Sequence, residues 1–274
     1  MQTLLAVGDN LVDCYPALGL EFPGGNCLNV AVQAARAGLR VSYLGAVGTD
    51  RRGTLIRETL AAENVDFERG RIVEGPSAYC VIGHQEGDRV FLDSHLGVSR
   101  FTLTEGDLAF AARHTVVHSA QASGTDEFIG LLAQQTLVSY DFSTVRDEAF
   151  IRGIAQHSFL ASFSGSSLSS TEVDGLVELS LSSGAQWVLV TLGDRGAVLH
   201  APGRVYSIPS VPVESLDTLG AGDAFVANVL AGLVSGAEPH AFLYQAALKA
   251  AETCTHFGGV GHGSPFFLSD KTRL

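Results

Sequence analysis

The seven residues Asp217-Thr218-Leu219-Gly220-Ala221-Gly222-Asp223 join an open, glycine-rich turn to a carboxylate. A polar, Pro-containing connection precedes them, and the apolar small-residue stretch 224–235 predicts a helix directly after. Backbone N–H groups at such a helix start have no partner within the helix, and the helix dipole adds positive character. The turn is therefore a ready anion site. Asp223 stands inside it, and the same donors favour an ionised carboxylate. An anion cradle beside a fixed base is the equipment for moving a phosphoryl group onto a hydroxyl. An ordinary helix cap with glycines that permit close packing accounts for this segment alone equally well.

Two further clusters bear on the choice. Gly24-Gly25-Asn26 is followed by Asn29 on an Ala-rich stretch, with Asp9, Asn10 and Asp13 shortly upstream. Glycines let a ligand approach the backbone, and carboxylates and amides match the hydroxyls of a polyhydroxylated molecule. Turn and cap roles compete for Asp9, Asn10 and Asn29. The second cluster is Thr191-Leu192-Gly193-Asp194-Arg195-Gly196, where an apolar strand runs into a glycine turn. That turn suits a nucleotide lying against backbone, or a plain hairpin.

Positioning these groups requires an α/β frame. Strand patterns at 4–7, 41–47, 115–117, 137–141 and 187–192 alternate with helical patterns at 29–37, 52–63, 172–182, 224–235 and 239–255. Short buried strands between helices predict a mostly parallel sheet covered on both faces. Ligands then bind beyond the strand carboxyl ends, where Asp9 and Asp13 fall. The runs 77–83 and 89–94 flank a hairpin turn and break the rhythm; with the extended segment 12–22 they predict a small β lid. Residues 162–171 are serine-rich and read as a loop. His118, after a strand, reads as a satisfied structural histidine.

The chain has 274 residues, 46% of them hydrophobic and 17% charged, which suits one large domain with a substantial core. Its net charge of −12 argues against non-specific nucleic-acid binding. The four cysteines form no C-x-x-C pair, and no leader-like or membrane-length apolar run is seen, so a reduced cytoplasmic setting is expected.

Together these features resemble the ribokinase-like, PfkB-type carbohydrate kinases over nearly the whole chain. Residues 217–230 match the C-terminal signature, with Asn228 where Ala or Gly is usual. Gly24, Gly25, Asn29, Ala31, Gly38 and Gly48 match the N-terminal signature, with Cys27 where proline or a smaller residue is usual. Gly48-Thr49-Asp50-Arg51-Arg52-Gly53 resembles the Gly-x-Asp-x-x-Gly turn that follows. The resemblance implies a three-layer αβα sandwich with a β lid over 12–23 and 77–98, in one domain. It implies Asp223 as general base and Gly220, Ala221 and Gly222 as the anion hole. Asp9, Asn10, Asp13, Gly24, Gly25, Asn26 and Asn29 are implied sugar contacts, and Thr191, Gly193 and Gly196 fall in the ATP region. Mg2+ is expected with the ATP, held mostly through phosphate and water oxygens. The family's Asn-x-x-Glu motif is missing from the stretch 162–172, leaving Glu172 or Asp141 as substitute metal groups.

Within the family, Gly8-Asp9-Asn10, Val12-Asp13, Tyr15-Pro16, Asp88-Arg89-Val90-Phe91, Gly97-Val98 and Asp141-Phe142-Ser143 resemble the branch that phosphorylates the 6-hydroxyl of fructoselysine. Arg89 on the lid hairpin then reaches toward substrate. The resemblance implies ATP and a small sugar or sugar-amine as ligands, with no nucleic acid or membrane, and a homodimer as the default. Competing expectations are a fructokinase, ribokinase or nucleoside kinase, a non-catalytic sensor on the same fold, and an oxidoreductase. The last is disfavoured because Phe225 occupies the third glycine position of Gly-x-Gly-x-x-Gly.

Overall fold

The computed structural model describes residues 2–85 and 88–267, with backbone alone for 84, 85 and 88–91. In chain order the strands are β1 (Thr3–Val7), β2 (Leu11–Tyr15), β3 (Leu20–Gly24), β4 (Arg40–Leu44), β5 (Ala46–Gly48), β6 (Arg71–Val73), β7 (Tyr79–Gln85) and β8 (Asp88–His95). They continue with β9 (Val116–Ala120), β10 (Leu137–Asp141), β11 (Leu160–Ser164), β12 (Trp187–Thr191), β13 (Ala197–Ala201), β14 (Arg204–Ile208) and β15 (Ser264–Pro265). The helices are α1 (Asn26–Arg36), α2 (Arg51–Ala62), α3 (Glu105–Ala111), α4 (Ile129–Ala133), α5 (Glu148–Ala155), α6 (Ser170–Ser183), α7 (Ala221–Ser235) and α8 (Pro239–Thr253).

The main sheet has the order β14-β13-β12-β11-β10-β9-β1-β4. Its six strands from β4 to β12 run parallel, and β13 and β14 close one edge antiparallel. Parallel strands are buried on both faces, which is why Leu4, Leu5, Ala6 and Val7 are all fully buried rather than alternating. The two-residue period still sorts them. Leu4 and Ala6 join one core with Leu28, Ile56, Phe225 and Leu243 from α1, α2, α7 and α8. Leu5 and Val7 join a second core with Phe110, Ile129, Ile151 and Leu176 from α3 to α6. The result is three layers. Each fully buried Leu or Ile contributes about 2 kcal/mol, so the two cores carry the frame.

A second sheet, β15-β3-β2-β7-β8, is separate from the main one. β2 pairs antiparallel with β3 and parallel with β7, and β7 and β8 form the hairpin. Asp50 ties this sheet to α2. Its Oδ1 accepts from Gly53 N (2.9 Å) and Ser77 Oγ (2.6 Å), and its Oδ2 accepts from Ser77 N (3.0 Å). The Gly48–Gly53 turn is thus a helix cap and a joint at once.

Several sequence expectations shift. The run 41–47 is two strands, because β5 leaves the main sheet after Gly45 to pair with β6. The serine-rich stretch 162–171 is not a single loop: Ser162–Ser164 end β11, and α6 begins at Ser170. β11 carries buried Leu160, Ala161 and Phe163, and its serines had masked that pattern.

Candidate active site

Because six strands run parallel, their carboxyl ends share one edge, and Asp9, Asp141 and Thr191 gather there. α1 and α7 pack against each other on one face of the sheet, and their N-termini bring Asn26, Asn29 and Asp223 together. Asn26 Nδ2 donates to Asp223 Oδ1 (2.8 Å) and to Asp141 Oδ2 (2.9 Å). Asn29 Nδ2 donates to Asp223 Oδ2 (2.7 Å). Two neutral amides therefore hold both oxygens of Asp223, at the third position of α7. Asn29 Oδ1 is buried and has no hydrogen-bond partner, and the same holds for Asn10 Oδ1.

The local backbone explains the glycines. Gly220, φ 78°, is the N-cap of α7, and a Cβ there would lie 2.4 Å from Gly259 Cα. Gly25, φ 103°, is the N-cap of α1, and a Cβ there would meet Asn10 Cα at 2.8 Å. A Cβ on Gly222 meets nothing within 4 Å, so the first turn of α7 is open on that side. Ala221 N donates only a long bond, 3.3 Å, to Thr218 O, which leaves the α7 terminus able to receive an anion.

The electrostatics differ from the sequence expectation for Asp223. The helix start was expected to keep it ionised. Part of the residue remains open to solvent, yet removal of its carboxyl group from bulk water pushes its pKa up to about 7. The Asn29 bond opposes this, Asp141 and Asp9 add to it, and the Asn26 bond again opposes it. Burial likewise raises Asp141 to about 6, against bonds from Ser143 N (2.7 Å) and Asn26. A carboxylate near 7 is a competent proton acceptor at neutral pH.

Other expected site residues take different places. Asp9 does not present its carboxylate to a ligand. Oδ2 accepts from Asn26 N (2.8 Å), and Oδ1 accepts from Cys27 N (3.3 Å) and Ser123 Oγ (2.9 Å), so it caps α1 and fixes Asn26. Asn10 donates to Tyr43 OH and Ala46 O, both at 3.0 Å, bracing the end of β1. Asp13 is buried on β2 beside Gly24, where a Cβ would lie 2.2 Å from its Oδ2. Thr191 ends β12, and Gly193 and Gly196 bound the turn after it. Gly196 also lets that turn close on the backbone of Ile208 and Pro209. The side chain of Arg89 lies outside the described residues. Glu172 closes a capping box with Ser169 at the start of α6, so its oxygens are committed there.

Sequence reasoning did not connect two further features to the site. Tyr15, on β2, donates to Asp217 Oδ2 (2.5 Å), while Asp217 Oδ1 accepts from Leu219 N (3.0 Å). The second sheet is thereby joined to the turn that opens α7. His118, on β9, lies 3.0 Å from Asn26 Oδ1. No group of three or more His, Cys, Asp or Glu side chains among the described residues is arranged to cage a metal.

A parallel αβα frame with an open helix start and an amide-held carboxylate defines a phosphotransferase-type site. The pfkB family carbohydrate kinase description matches residues 20–137 and 139–265. The chain belongs to that family. It is 38% identical to "Fructosamine kinase FrlD" of Bacillus subtilis (strain 168), over 99% of each chain. It is 33% identical to "Fructoselysine 6-kinase" of Escherichia coli (strain K12), over 94% of this chain and 99% of that one. Among solved structures, Arabidopsis thaliana ribokinase complexed with ribose and ATP superposes with a TM-score of 0.83 at 19% identity, covering 95% of each chain. A putative ribokinase II from E. coli in complex with ATP and Mg2+ gives 0.81 at 20% identity, again over 95% of each. The fold is the ribokinase fold, and the protein is a carbohydrate kinase that uses ATP. Family membership removes the oxidoreductase expectation.

Proposed function

We propose that this protein transfers the γ-phosphoryl group of ATP to the 6-hydroxyl of a fructosamine, with fructoselysine as the principal acceptor. The observation that carries the proposal is Asp223, a carboxylate near neutral pKa held by Asn26 and Asn29 in the open first turn of α7. The near full-length similarity to a fructosamine kinase and a fructoselysine 6-kinase supports the acceptor class.

Asp223 accepts the proton as the hydroxyl oxygen bonds to the γ-phosphorus. The bond from that phosphorus to the bridging oxygen breaks, and ADP leaves. The first-turn N–H groups of Gly220, Ala221 and Gly222, with the α7 dipole, stabilise charge on the phosphoryl oxygens. Asn29 Oδ1, buried without a partner, is suited to accept from an acceptor hydroxyl. The carboxyl edge carrying Thr191, Gly193 and Gly196 is assigned to ATP. Two carboxylates with neutral amides fit a Mg2+ ion held mainly by phosphate and water oxygens. Asp141 is the carboxylate assigned to that hydrated ion, where it would help balance phosphate charge. The second sheet serves as a lid that excludes water from the transfer.

Exposed Leu92 and Leu96 at the β8 end of this sheet support a homodimer. Use of ATP and four free cysteines support a cytoplasmic location.

The test is ATP-dependent phosphorylation of fructoselysine, fructose and ribose in parallel, with the phosphate position read by NMR. Preferred turnover of fructoselysine, at its 6-hydroxyl, is the expected result. Preferred turnover of fructose or ribose would overturn the acceptor assignment, and no turnover with any of them would overturn the proposal.

A further inference from the structure

We propose that His118 is a positioning residue that fixes the side-chain orientation of Asn26, and through it the placement of Asp223, by donating Nε2–H to the Asn26 carbonyl oxygen. This deepens the proposed function and rests on Asp223 being the base.

The geometry leaves little choice of proton positions. Asn26 Nδ2 donates to two carboxylates, Asp141 and Asp223, so its Oδ1 is the oxygen facing His118. That oxygen can only accept, so His118 Nε2 carries a proton. His118 is fully buried, and burial pushes its pKa down to about 3, so the ring is neutral and its Nδ1 is an acceptor. Nδ1 lies 3.0 Å from Ser139 Oγ, which must then donate. The bonds run one way: Ser139 hydroxyl to His118, His118 to the Asn26 carbonyl, and Asn26 to both carboxylates. Bonds aligned head to tail polarise one another.

The sheet places this relay. His118 and Ser139 are register partners on the parallel strands β9 and β10. Val116 and Leu137, two residues before each, pack into the core shared with α1 and α7. His118, Ser139 and Asp141 therefore face the same helix layer, toward Asn26. Asp9 fixes the Asn26 backbone through its N–H, and His118 fixes the side-chain amide. An asparagine amide has two orientations of nearly equal shape. Only the one seen here offers donors to Asp223 and Asp141; the other would set its carbonyl against two carboxylates. Without His118 the carbonyl is left unpaired, and the amide is free to turn away.

The test has two readouts. The first, needing no acceptor, is the 15N spectrum of the His118 ring in the folded wild-type protein across the neutral range. A neutral ring with Nε2–H throughout is expected; an Nδ1–H tautomer or an imidazolium would overturn the proposal. The second compares wild type, His118→Phe and His118→Gln with fructoselysine and ATP, with thermal unfolding as the check on folding. His118→Phe is expected to lower kcat about thirtyfold with the KM for ATP unchanged, the order expected for losing one donor to the base. Gln, which retains an N–H donor, should restore most of it. Equal kcat in all three folded proteins, or a defect in His118→Gln as deep as in His118→Phe, would overturn it. An inactive wild type would sink the proposed function, while the ring tautomer would still decide the orientation of Asn26.

Discussion

Asp223 and Asp107 are both drawn partly out of water at helix starts, and they are handled in opposite ways. Asp107 sits in the first turn of α3. There Thr104 donates to it from N (2.9 Å) and Oγ1 (2.7 Å), Arg69 at 3.0 Å and Arg71 at 2.5 Å. Burial pushes its pKa up, but the Thr104 bonds and the two guanidinium groups more than reverse this, leaving it below the ordinary value. Asp223 receives only neutral amides, with Asp141 and Asp9 as nearby charges, and it rises to about 7. A carboxylate meant to staple is given cations. One meant to take a proton is given donors that orient it without discharging its basicity.

Breaking each side of this contrast should have a different signature. The largest expected effect is from Asp223→Asn, which removes the base and keeps the shape. kcat should fall by about a thousandfold while ATP binding, followed by titration, is retained. Asp107→Ala attacks the staple. It leaves Arg69 and Arg71 without their partner, and urea unfolding should show a loss of about 2 kcal/mol, moderated because both arginines are partly exposed. Its kcat at low temperature should match wild type; a kcat loss without destabilisation would erase the contrast.

Asn29→Ala sharpens the comparison by removing one neutral donor. The donor favours the ionised form, so its loss raises the Asp223 pKa further. Turnover near neutral pH should fall about tenfold and recover at alkaline pH. A deficit of equal depth at every pH would mean that Asn29 serves substrate binding alone. The smallest effect is expected from Tyr15→Phe, which cuts the bond from the second sheet to Asp217. A loss of about 1 kcal/mol in stability and about threefold in kcat is the scale of one hydrogen bond.

What the sequence makes legible follows from physical range. Apolar runs and glycine turns are local, so β1, β10, β12, α7 and the open turn at Gly220–Gly222 are readable in the chain itself. Asp223, Asn26 and Asn29 were found as chemistry-bearing types near helix starts. Their mutual bonds were not, since Asn29 and Asp223 are 194 residues apart. Asp9 and Asn10 carry the right chemistry at the right edge, and only the fold reveals that α1 and Tyr43 consume their polar atoms. The raised pKa of Asp223 was also hidden, because it depends on Asp141 and Asp9 converging from two other strands. The relay through His118 and Ser139 had a usable signal: Ser139 and Asp141 are two apart on one strand and share a face.

The most direct test of the account is the pH dependence of kcat/KM for fructoselysine in the wild-type enzyme. Asp223 must be ionised to accept the proton, so activity should rise with pH and level off above a limb near 7, as its pKa of about 7 requires. A limb near the ordinary aspartate value of about 4, or a flat profile across the neutral range, would contradict a base held by neutral amides.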